Sequence, residues 1–91
     1  MSLNDDLTMQ DPAEVSLACA KLLDSLQDHP PSIQVGAIVS LHRLLMEVFD
    51  LDVRQEIDRM ERLMRNREEL GWDKKFNAVR DYIKGELLHK T

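Results

Sequence analysis

Apolar positions along this chain recur with a helical period in four separate runs, and no window alternates apolar and polar residues as a strand would. The second run, residues 33–49, stands out. Turning roughly 100° per residue from Ile33 places Ala37, Ile38, Leu41, Leu44, Leu45, Val48 and Phe49 with it on one broad arc. Val35, Val39 and Met46 fall on the back, and only Gly36, Ser40, Arg43 and Glu47 form a polar wedge. A helix apolar almost all round must be covered on nearly every side. It is therefore expected either to be the centre of its own bundle or to be covered by a second subunit.

The first run has a well-marked start. Asp11 suits an N-cap, Pro12 the first helical position and Glu14 the reciprocal capping position. Val15, Ala18, Cys19, Leu22, Leu23 and Leu26 form its inward stripe, and the sequence around His29, Pro30 and Pro31 ends it. Ser32 is the expected cap of the second helix. Asp52, three residues before Gln55, caps a third helix with the stripe Val53, Ile57, Met60 and Met64. Around that stripe Arg54–Asp58, Asp58–Arg62, Glu61–Arg65 and Arg65–Glu69 stand at i, i+4. Gly71 and Trp72 carry the pattern of a Schellman stop. Asp73 then caps a fourth helix that faces inward with Phe76, Val79, Ile83 and Leu87, with Tyr82 beside them.

The spacing predicts an all-α protein: a compact bundle of about four helices, over 12–28, 33–49, 53–70 and 74–89, with the apolar helix 33–49 at its centre. Residues 1–10 read as a flexible acidic tail and 11–91 as a single helical domain. Connections of two to five residues favour antiparallel neighbours.

Charge and composition narrow the function classes. The net charge of −5 disfavours a general nucleic-acid-binding surface, since Lys and Arg must neutralise phosphates. Residues 1–51 carry two cations against eight acids, −6, leaving +1 for residues 52–91. The opening residues lack the pattern of a secretory signal, and no run approaches the roughly 20 apolar residues of a membrane span. A cytoplasmic protein without membrane contact is expected. Cys19, the only cysteine, lies within an apolar stripe and reads as a structural thiol.

Candidate chemistry is sparse. Glu86 and His89 have the spacing of half a carboxylate-bridged metal site, without the second half such sites need. Glu47, Asp50, Asp58 and Glu61 flank one turn and would gather to bind Mg²⁺ if the second and third helices folded as a hairpin. That arrangement resembles in outline the all-helical nucleotide pyrophosphatases, but the Glu-x-x-Glu pair of those enzymes is missing, because no two glutamates stand three apart. No catalytic residue, metal site or cofactor is assigned.

The reading that remains is a non-catalytic protein–protein interaction module: an adaptor, regulatory subunit or inhibitor. It is expected to form a homodimer through Val35, Val39, His42 and Met46 and to bind a further protein partner. The runner-up is a nucleic-acid-binding regulator in which the third and fourth helices act as a helix-turn-helix; Arg59, Arg62, Lys74, Lys75 and Arg80 form the face expected to meet a protein partner or nucleic acid. The Mg-dependent nucleotide hydrolase comes third.

Overall fold

The computed structural model describes residues 2–66 and 71–88. Five helices follow one another: α1 (Leu3–Thr8), α2 (Pro12–Ser25), α3 (Pro31–Val48), α4 (Val53–Met64) and α5 (Lys74–Glu86). A two-residue antiparallel ladder, β1 (Arg65–Asn66) against β2 (Gly71–Trp72), stands between α4 and α5, with Arg65 opposite Trp72 and Asn66 opposite Gly71. The protein is an all-helical bundle, as the periodicity predicts.

The helix starts follow local chemistry. Asp11 accepts from the Ala13 amide at 2.9 Å, Asp52 from Gln55 at 2.9 Å and Asp73 from Lys75 at 2.9 Å. All three are the expected caps. The start of α3 differs: Pro31 takes the first helical position and Pro30 is the cap residue, with ψ 157° and no side-chain bond. Proline at that position is preset for the helix and forces its predecessor into an extended backbone, which moves Ser32 inside.

Part of the segment read as a tail is also helical. Ser2 caps α1 by accepting from the Asp5 amide at 3.2 Å, and Thr8 Oγ1 donates to the Asn4 carbonyl. The short Ser-x-x-Asp capping pattern is the signal for this helix.

The third predicted helix ends early. α4 stops at Met64, where Arg65 turns extended with ψ 143°, and the Asp73 amide reaches back to the Met64 carbonyl at 2.6 Å. Gly71 lies in the ladder and not at a left-handed helix stop; its φ is not positive. The Schellman motif occurs instead at the end of α3. There Leu51 N–H donates to Met46 at 2.8 Å and Asp50 N–H to Glu47 at 3.2 Å, while Asp50 takes φ 53°. Arg67, Glu68, Glu69, Leu70 and His89, and the Trp72 side chain, lie outside the described residues.

Packing departs most from expectation. α2 lies on α5, and among the described residues only Leu23, Phe76 and Leu87 are buried apolar side chains. On α2 the inward face is Ser16, Ala20 and Leu23, about one residue round from the predicted stripe, which leaves Leu22 exposed. α3 is not enclosed. Its expected core arc, Ile33, Ile38, Leu41, Leu44, Leu45, Val48 and Phe49, is 41–77% exposed. The cause is geometric. The chain bends by 115° between α3 and α4, and the molecule measures 39 × 35 × 19 Å. A thickness of 19 Å holds two helix layers, since one helix with side chains is about 10 Å across. A two-layer slab cannot surround any of its members.

Candidate functional site

Three surfaces are candidates, and the first is α3 itself. Pro30 and Pro31 set its direction, and Gln34, fully buried, fastens it to the preceding loop by donating from Nε2 to the His29 carbonyl at 2.8 Å. Beyond that anchor the helix carries apolar side chains into solvent. Of the four residues assigned to self-association, Val35 and Val39 are 57% and 60% exposed, whereas His42 and Met46 are half-buried. Met46 is half-buried together with Leu51, its usual apolar partner in a Schellman stop. The sequence periodicity marks this helix as apolar nearly all round. It had no means of showing that the rest of the chain leaves both faces open.

The second surface is a groove of about 480 Å³ between α2 and α5, with Ala13, Ser16, Ala20 and Ala78 among its lining and Leu17 and Val79 beside them. Small side chains on both helices keep it open. One end is closed by a bond between the helices, in which Tyr82 Oη donates to Asp24 Oδ1 at 2.5 Å. The bond to a carboxylate favours the protonated phenol, and the Tyr82 pKa is pushed up to about 12. Cys19 on α2 is half-buried, and burial raises its thiol pKa, which fits a structural thiol better than a nucleophile. This groove has no counterpart in the sequence reading, because it depends on which face of α2 meets α5.

The third is a cavity of about 690 Å³ where α1, the start of α2 and the end of α4 come together, lined by Thr8, Gln10, Arg59, Arg62, Arg65 and Asp73 among others. Arg59 is held from both sides. Its Nη1 lies 3.3 Å from the Glu56 carboxylate, and its Nη2 donates to Asn4 Oδ1 at 2.9 Å. The cations proposed for nucleic acid therefore divide between two places. Arg59 and Arg62 line this cavity, Lys75 lines the α2/α5 groove, and Lys74 and Arg80 line neither of them.

The linker between α4 and α5 spans residues 65–73 and contains the β ladder. A helix-turn-helix joins its helices by a turn of three or four residues, so the compact unit expected there does not form. The carboxylates around the α3–α4 turn do not assemble either: among the described residues no three His, Cys, Asp or Glu side chains gather as a metal site would require. The 115° bend replaces the hairpin that would have brought Glu47 and Asp50 to Asp58 and Glu61, and Asp50 serves as the left-handed stop of α3. No single helix among the described residues is long and apolar enough to cross a membrane. No family model, curated protein or solved structure matches the chain.

Proposed function

We propose that this chain is a non-catalytic interaction module of the cytoplasm that pairs with a second copy of itself through α3. The observation that carries the reading is the exposure of that helix's apolar side chains, with Val35 and Val39 on one side and Leu41, Leu44 and Val48 on the other. Contiguous apolar surface of this kind marks a binding site on a protein that remains in solution. A two-fold dimer is the commonest way for identical chains to cover it.

Areas support the same reading. The chain exposes 7134 Å², whereas a folded monomer of 10.6 kDa exposes about 5,500 Å². The surplus, roughly 1,600 Å² per chain, falls within the range of about 1,000–2,500 Å² per subunit buried in obligate homodimers. With α3 so engaged, the module would offer α1, α4 and the arginine-lined cavity to a further protein, as an adaptor or regulatory subunit does.

Light scattering after size exclusion tests the pairing. The wild-type chain is expected at twice 10.6 kDa. Val39→Asp, at an exposed position, is expected to run as a monomer with unchanged helicity by circular dichroism. A wild-type monomer at every concentration, or a Val39→Asp protein that still dimerises fully, overturns the reading.

A further inference from the structure

α3 is apolar and exposed over more of its circumference than one partner helix covers. From Ile33 round to Val39 its exposed apolar positions span about 240°, whereas a helix seam takes a stripe of about 100°. An α3–α3 seam through Val35 and Val39 would leave Leu41, Leu44 and Val48, on the opposite side, in water.

The same chain has a second, mainly apolar surface, the groove between α2 and α5. Ala13, Ser16, Ala20 and Ala78 line it, with Lys75 and Tyr82 also in the lining, and Leu17 of the same lining is 57% exposed. Small side chains allow a helix axis to approach toward the lower end of the usual 8–10 Å. The lengths also suit: the lining runs from Ala13 to Leu23 along α2, about 15 Å, and Leu41 to Val48 of α3 covers about 10 Å.

We propose that α3 of each copy lies in the α2/α5 groove of its partner, with its Leu41, Leu44 and Val48 side inward, while the Val35 and Val39 sides of the two α3 helices meet across the two-fold axis. This rests on the self-association reading and names the surface that receives α3. Two features direct the helix to the partner's groove and away from its own. The link from α2 to α3 is only residues 26–30, ending in a proline followed by Pro31, and Gln34 ties the start of α3 to that link. A short stiff connection fixes the direction in which a helix leaves, and exchange of such an element between copies is a low-cost route to a dimer. The arrangement covers α3 on both sides and engages both grooves.

The test places substitutions in the groove, away from α3. Leu17→Asp and Ala78→Trp both sit at exposed positions of the groove lining, so they spare the fold. Both are expected to weaken the dimer at least tenfold in sedimentation equilibrium while circular dichroism is unchanged. Leu44→Asp on α3 is expected to do the same. An equimolar mixture of Leu44→Asp and Leu17→Asp chains retains one intact α3 and one intact groove that match, and it is expected to form mixed dimers more tightly than either variant alone. A Leu17→Asp protein that dimerises like the wild type overturns the groove proposal and leaves self-association standing. A wild-type monomer, or a Val39→Asp dimer of wild-type affinity, removes the reading beneath it.

Discussion

Asp50 is the described non-glycine residue with a positive φ, 53°, and it holds that angle because α3 needs a left-handed residue to end its ladder before α4 begins. The motif satisfies two of the orphan carbonyls of α3, those of Met46 and Glu47. An L-residue there strains Cβ against the backbone, and a carboxylate next to a helix C-terminus opposes the helix dipole. Asp50→Gly removes both costs while leaving the backbone bonds in place. It is expected to stabilise the protein by roughly 0.5–1 kcal/mol in urea unfolding. A variant less stable than wild type would mean that the Asp50 carboxylate contributes a favourable interaction of its own.

At the scale of the element, α4 departs from its pattern in its first two turns, while Met60 and Met64 of the expected stripe are half-buried. Ile57 is exposed, whereas Glu56 and Arg59 have side chains only 5% and 11% exposed and pair at i, i+3. Glu56 Oε1 is near Arg59 but accepts no hydrogen bond among the described residues. A buried pair of this quality contributes little net stability, yet removing one partner leaves the other charge buried alone. Glu56→Ala is therefore expected to cost about 3 kcal/mol in denaturant unfolding, and the joint change Glu56→Leu with Arg59→Met to recover most of it. If the double variant is as unstable as the single one, the pair has a specific structural role that packing cannot replace.

The same helix shows what was legible in the sequence. Asp11, Asp52 and Asp73 were readable as caps because a cap is fixed by three or four neighbouring residues. The end of α4 at Met64 was not, because apolar and charged periodicity continues to Leu70 and only the pairing of Arg65–Asn66 with Gly71–Trp72 interrupts it. Val35 and Val39 were legible as lying on the back of the apolar helix from their angle, and both are exposed. The groove that faces Leu17 and Ala78 was not, since it depends on the rotation of α2 against α5.

At the scale of the whole molecule, the three apolar side chains buried among the described residues, Leu23, Phe76 and Leu87, stand against a long exposed set on α3. The radius of gyration, 14.1 Å, also exceeds the roughly 12 Å of a compact domain of this length. A core this thin gives a single chain little apolar burial to offset the entropy of ordering its backbone. Folding should then be coupled to pairing, and mass action supplies the signature: a thermal midpoint that depends on protein concentration. With an unfolding enthalpy of about 0.7 kcal/mol per residue over two chains, the midpoint is expected to rise by about 4 °C for each tenfold increase in concentration. Differential scanning calorimetry over two decades of concentration measures this directly. A constant midpoint would mean that each chain melts as an independent unit, with α3 contributing nothing to stability through a partner. A rising midpoint in the wild type that becomes flat and lower in Val39→Asp would connect the exposed helix, the thin core and the second copy in one equilibrium.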